Sequence, residues 1–254
     1  MGFCEEKLHI IMFPWLAFGH MIPYLELAKL IAQKGHHISF VSTPRNIQRL
    51  PKLPPNIASL IKYVSLPLPK VPNLPENAEA TIDIPYEVVQ RLKEAYDALQ
   101  EPFTHFLQSS NADCVFHDFV PFWASPIASK LGIRSVFFSI FTTPTLGFLG
   151  SPKLLMGGDP MRKELENFTV PPPWLLFPST VAFRYFEIMR ISDSVRDDNH
   201  SGGFTDLYRI GASVQNCSSG LHRIRARVVS GARKHLPETN SPDWSTSQHK
   251  VRLP

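Results

Sequence analysis

Two short stretches carry residues whose types and placement suit acid–base chemistry. In Pro14-Trp15-Leu16-Ala17-Phe18-Gly19-His20 an apolar run gives way to a helical pattern, and His20 falls at the start of that helix. The positive end of the helix dipole opposes a cationic ring there, leaving a neutral imidazole able to accept a proton. Gly19, beside it, admits an unusual backbone angle or a close approach. Asp118, in Phe116-His117-Asp118-Phe119, ends a second apolar run. A carboxylate there can bond one ring nitrogen of His20, fix its tautomer, and stabilise the cation formed when the other nitrogen takes a proton. Read singly, each residue has a plainer role. A lone His after a strand is most often structural or exposed, and Asp118 can cap a helix that begins at Pro121. Their pairing requires both strands to end at one edge of one sheet.

Other chemistries find little support. No Gly-x-Gly-x-x-Gly and no Walker-type loop occurs. Gly211-Ala212-Ser213-Val214-Gln215 lacks the last Gly of a nucleophile elbow and lies in a helical pattern. His36-His37 has no partner at metal spacing and reads as one surface and one core residue. Phe137, Phe138, Phe141 and Phe148 read as core, with some members lining an apolar pocket. The alternation Arg223/Arg225/Arg227 reads as a solvated run rather than an RNA-binding arm.

The elements that must position His20 and Asp118 follow from periodicity. Leu8–Phe13, His37–Val41, Ile61–Leu66, Asp113–Phe116 and Ser135–Phe138 read as buried strands. Between them, Met21–Lys34 repeats apolar residues at helical spacing and stops at Gly35, and Pro121–Leu131 stops at Gly132. Thr43-Pro44 opens a short helix, with Thr43 as cap and Pro44 at its first position. Tyr86–Gln100, Pro102–Leu107, Val181–Val195 and Phe204–Gln215 also read as helices. Nine prolines from Pro44 to Pro85 force loops there, and Ser151–Pro178 has no readable pattern. Strands alternating with helices predict an α/β fold, a Rossmann-like parallel sheet with helices on both faces.

Composition narrows the partners. The 254 residues are 43% hydrophobic and 19% charged, enough for a substantial core. The net charge of +4 is uneven: residues 217–254 hold seven Lys/Arg against two acids, and the remainder is nearly neutral. A body-wide basic face for nucleic acid is therefore excluded. The run Leu8–Phe18 is far short of the roughly 20 residues a membrane span needs, and it leads into no cleavage site. Three scattered cysteines suit a reducing compartment, so a cytoplasmic protein with no stable membrane insertion is expected.

The stretches Phe13–Pro23, with Leu27-Ala28 and Gly35–Thr43, resemble the amino terminus of plant UDP-dependent glycosyltransferases. Asp118-Phe119-Val120-Pro121-Phe122-Trp123 and Phe138–Thr142 fit the same family, in the branch that adds rhamnose or glucose to flavonoid or saponin glycosides. The resemblance covers roughly residues 7–216. It implies the amino-terminal, acceptor-binding domain of a GT-B fold, with His20 as catalytic base and Asp118 as its support. Trp15, Phe18, Gly19 and Phe119 would contact the acceptor, and Ser139 and Thr142 would lie near the sugar phosphate. The implied partners are a flavonoid or terpenoid glycoside and a UDP-sugar co-substrate, with no other cofactor and no metal.

The family's donor-binding stretch of Trp, Gln and His-Cys-Gly-Trp-Asn-Ser type has no counterpart in these residues, so a fold without the family's carboxyl-terminal domain is expected. Two readings follow: a truncated enzyme inactive alone, or a non-catalytic acceptor-binding module. After Asn216 the apolar period fades. Arg225–Trp244, back-translated with chosen codons and shifted by one nucleotide, yields a sequence resembling the family's next segment. Residues 1–216 are thus expected to form the acceptor-binding domain, and 217–254 an aberrant basic tail, disordered or frame-shifted.

Overall fold

In the computed structural model, residues 7–157, 164–196 and 202–217 are described. The chain divides into two units, 1–220 and 221–254, and the second lies wholly outside the described residues. Of the tail expected from 217 onward, only Cys217 falls within them.

Five strands form one parallel sheet in the order β3-β2-β1-β4-β5, with β1 at His9–Phe13, β2 at His37–Ser42, β3 at Ile61–Ser65, β4 at Cys114–His117 and β5 at Arg134–Phe137. The central strands are buried along nearly their whole length, because helices cover both faces of a parallel sheet and leave no polar side. This strand order is that of a doubly wound sheet. The chain leaves β1 toward β2 and β3, then returns to place β4 on the other side of β1. The carboxyl ends of β1 and β4 therefore flank the switch point where ligands bind in such sheets.

Helix α1 spans Phe18–Ala32, starting three residues earlier than its apolar spacing predicts. It ends at Ala32, two residues before the predicted Lys34, and the turn that follows closes at Gly35, whose φ of 88° is open to glycine at little cost. Helix α2 covers Pro44–Arg49, with Thr43 at the cap position but with no side-chain cap bond. The Tyr86–Gln100 region breaks into a 3₁₀ turn and α3 (Val89–Asp97), followed by α4 (Gln100–Ser110). Helix α5 (Ala124–Lys130) begins three residues later than predicted, and Gly132 closes it at φ 72°. Two helices were not legible: α6 at Thr143–Leu149 and α7 at Pro152–Gly157, the latter inside the stretch read as loop. Helices α8 (Tyr185–Arg196) and α9 (Gly202–Cys217) complete the described chain. Among the described residues no helix is long and apolar enough to cross a membrane. His36 and His37 correct the sequence reading: neither is buried, and the His36 ring instead accepts the Leu8 N–H.

The core packs beneath the switch point. Phe13 is fully buried and stacks on Phe103 at 4.2 Å and Tyr96 at 5.0 Å between ring centroids, with Trp123 edge-on. The Tyr96 hydroxyl donates to the Pro14 carbonyl at 2.7 Å, tying the turn after β1 to α3. Burial holds the Tyr96 phenol well above its ordinary value, so it stays a neutral donor.

The proline-rich connection after β3 is anchored on α2. Asn46 Nδ2 donates to the Glu79 carbonyl at 2.6 Å, and Thr81 N–H donates to the Leu16 carbonyl at 3.0 Å. Asp83 accepts from Arg49 at 2.9 Å and from the N–H groups of Glu79 and Ala80. Burial pushes the Asp83 carboxyl up, but these donors outweigh it and hold the group below the ordinary carboxylate value. A depressed carboxylate stabilises the fold above its unfolded-state value and loses that contribution as pH falls through the native one. Asp83→Ala is therefore expected to cost about 1–3 kcal/mol at pH 7, with the difference from wild type narrowing below about pH 4. Urea unfolding at pH 7 and pH 3 checks this. Equal midpoints at pH 7 would remove Asp83 as the anchor of the loop.

Candidate functional site

Phe13 pairs with His117 across β1 and β4, so the chain leaves both strands side by side at Pro14 and Asp118. The turn after β1 is brief. Ala17 is extended, with φ −129° and ψ 138°, and its carbonyl accepts from the N–H groups of His20 and Met21. His20 is thereby the third residue of α1 and projects within reach of the residue that follows β4.

His20 Nδ1 lies 2.6 Å from Asp118 Oδ2. Asp118 is fully buried, while the His20 side chain keeps 12% of its surface exposed. The carboxylate also accepts the Trp15 N–H on Oδ2 at 3.1 Å and the Phe119 N–H on Oδ1 at 2.8 Å. A buried ionised carboxylate requires such a set of donors. It accepts only, so Nδ1 of His20 carries the proton and Nε2 presents its lone pair. Nε2 has no hydrogen-bond partner among the described residues, and the rings of Phe119 and Phe141 stand 5.7 and 6.0 Å from the imidazole. The arrangement has the parts that general-base chemistry uses: an oriented ring, an open acceptor nitrogen, and a buried carboxylate to balance an imidazolium.

The other predicted residues take different places. Trp15 serves the pair through its backbone N–H, since its ring is buried edge-on against Tyr96. Phe18 is half-buried, with the Arg49 guanidinium 5.9 Å from its ring centroid. Gly19 is exposed in the first turn of α1. Its φ is not positive, and an added Cβ would meet nothing within 4 Å, so neither property expected of it is used by the described chain. Ser139 and Thr142 lie beyond β5 on the same sheet edge, and both oxygens act locally. Ser139 Oγ accepts the Phe141 N–H at 3.1 Å, and Thr142 Oγ1 caps α6 by accepting the Thr145 N–H. Asp118 does not cap α5, because that helix begins only at Ala124.

Phe141 is the residue the sequence did not single out. It was legible as one of an aromatic group but not separable from Phe148, which is core. Tyr24 was likewise missed: its hydroxyl donates to the Phe138 carbonyl at 2.8 Å and fixes the segment after β5. Burial, then the nearby Asp118 charge, holds its phenol well above the ordinary value. Among the described residues, no cluster of three or more His, Cys, Asp or Glu could hold a metal ion.

No family model matches the chain. Known proteins do. UDP-glycosyltransferase 91A1 of Arabidopsis thaliana is 50% identical over 213 residues, 83% of this chain and 44% of that protein. Soyasaponin III rhamnosyltransferase of Glycine max is 40% identical over 195 residues, 76% of this chain and 40% of that protein. The chain spans under half the length of these curated relatives. Among solved structures, Phytolacca americana UGT2 complexed with UDP-2-fluoro-glucose and pterostilbene superimposes with a TM-score of 0.53 at 19% identity, covering 84% of this chain and 46% of that one. That likeness shows the fold, a Rossmann-like sheet of the GT-B kind.

Proposed function

We propose that this chain, a homologue of the plant UDP-glycosyltransferases, is the amino-terminal, acceptor-binding part of an inverting UDP-sugar-dependent transferase. The observation that carries the reading is the 2.6 Å bond from His20 to a buried, three-fold hydrogen-bonded Asp118 at the switch point of the sheet. In the reaction, His20 Nε2 takes the proton of an acceptor hydroxyl as its oxygen attacks the anomeric carbon of the sugar. The new carbon–oxygen bond forms as the bond to the diphosphate breaks, UDP leaves with the electron pair, and the configuration inverts. Asp118 holds the ring and balances the cation.

Phe18, Phe119 and Phe141 offer the apolar walls that a flat or polycyclic acceptor needs, in keeping with a flavonoid or terpenoid glycoside. Ser139 and Thr142 bring hydroxyl groups to the same edge, toward the sugar phosphate. The UDP-sugar is a co-substrate, and the scheme uses no further cofactor. Two buried free thiols, Cys114 and Cys217, support a reducing, cytoplasmic setting.

The test is reconstitution. The chain, mixed with or joined to the carboxyl-terminal part of a relative, is expected to transfer sugar from UDP-glucose or UDP-rhamnose to a flavonoid glucoside, with inversion read by NMR of the product. Acceptor binding with no transfer in any such pair would overturn the reading and assign the pocket to sequestration.

A further inference from the structure

One face of α9 meets two successive carbonyls beyond β4 and the ring of His117, which holds a third. Arg209, Ser213 and Cys217 stand four residues apart and so share one stripe of the helix. Arg209 Nη1 donates to the Val120 carbonyl at 2.8 Å, and Ser213 Oγ donates to the Phe119 carbonyl at the longer distance of 3.4 Å. One turn further, Cys217 Sγ lies 3.2 Å from His117 Nε2, and His117 Nδ1 donates to the Asp118 carbonyl at 2.9 Å. All four side chains are buried. Arg209 is itself fixed, donating to both carboxylate oxygens of Asp97 at 2.9 and 2.5 Å and lying 5.3 Å from the Phe122 ring centroid. Burial keeps the His117 ring neutral and the Cys217 thiol protonated, which matches a thiol donating to Nε2.

Residues 118–120 belong to neither β4 nor α5. The ladder reaches as far as the His117 carbonyl, which accepts the Phe138 N–H at 3.0 Å; beyond it, the carbonyls of Asp118, Phe119 and Val120 accept no backbone N–H among the described residues. Arg209 and Ser213 of α9 hold the Val120 and Phe119 carbonyls, and His117, backed by Cys217, holds that of Asp118. We infer that the Arg209–Ser213–Cys217 face of α9 is a positioning element that fixes residues 118–120, so that Asp118 holds His20 in its Nδ1–H form. The inference rests on the reading of His20 and Asp118 as the proton-transfer pair. Small displacements of such a group carry large rate penalties, which gives a buried helix with no contact to substrate a hand in the chemistry.

The test uses the full chain labelled with ¹⁵N-histidine, with the His20 ring assigned by its loss in His20→Gln. Its nitrogen shifts report the tautomer. Wild type is expected to show Nδ1–H. Arg209→Met and Ser213→Ala are expected to raise the Nε2–H share by about two- to tenfold, the change equivalent to one hydrogen bond, and Arg209→Lys to restore the wild-type ratio. The control is Lys93→Ala, which cuts the 2.6 Å pair between α3 and Asp206 of the same helix but touches none of the three carbonyls. It is expected to lower stability and leave the tautomer unchanged. If Arg209→Met does not fold, Ser213→Ala, which removes one hydroxyl, decides the matter alone. Tautomer changes no larger than those of Lys93→Ala would make α9 a merely structural helix and overturn the inference, with the pair intact. An Nε2–H ring in wild type would instead overturn the proton-transfer reading itself.

Discussion

Replacing His20 with alanine is expected to lower transfer in the reconstituted enzyme by about 10²–10⁴-fold, the range a positioned general base contributes. Acceptor affinity should change little. The imidazole meets solvent over 12% of its side-chain surface and stands beside the rings of Phe119 and Phe141, which remain. The loss should therefore fall on kcat. A variant that kept near-normal turnover would show that the proton leaves by another route. A rise in KM alone would make His20 a binding residue.

Asp118 is expected to show two effects where His20 shows one. Asp118→Asn keeps the shape but turns one oxygen into a donor, which then faces either His20 Nδ1 and the Trp15 N–H together or the Phe119 N–H. The ring is freed to turn or to change tautomer. Transfer should fall by about 10- to 100-fold, less than for His20→Ala because the base itself survives. Asp118→Ala goes further and leaves the N–H groups of Trp15 and Phe119 without their acceptor. Each buried orphan costs about 1–3 kcal/mol, so the urea midpoint should drop as well. A stability loss with an unchanged rate would reduce Asp118 to a structural carboxylate. An unchanged stability would mean the carboxylate is not the acceptor those amides use.

Much of this site was readable before the fold was known, because strand ends in parallel sheets are places where chemistry collects. The apolar runs ending at Phe13 and near Phe116 gave the two strands, and the residues just beyond them supplied His20 and Asp118. What remained open was adjacency, which depends on β1 and β4 being neighbours although about a hundred residues separate them. No local pattern encodes that pairing. The helix starts misplaced by three residues have a local cause. Ala17 and Trp123 offer no side-chain cap, so the usual Ser, Thr, Asp or Asn signal is missing at both.

The misses concern residues whose roles are tertiary. Helices α6 and α7 are short and interrupted by Gly and Pro, so their periods are too brief to register. The Arg209–Ser213–Cys217 stripe looks like any polar interruption of an apolar helix until the carbonyls it meets are located. Gly19 misled in the other direction: a glycine beside a candidate base suggests a special backbone, yet it lies in an ordinary helical turn.

The most direct measurement is a crystal structure of the chain with a bound flavonoid glucoside. The account predicts an acceptor hydroxyl about 2.6–3.2 Å from His20 Nε2, the reach required of a general base, with the aglycone against Phe119 and Phe141 and the His20–Asp118 bond retained. An acceptor seated elsewhere, or held at this site with no hydroxyl near Nε2, would contradict it.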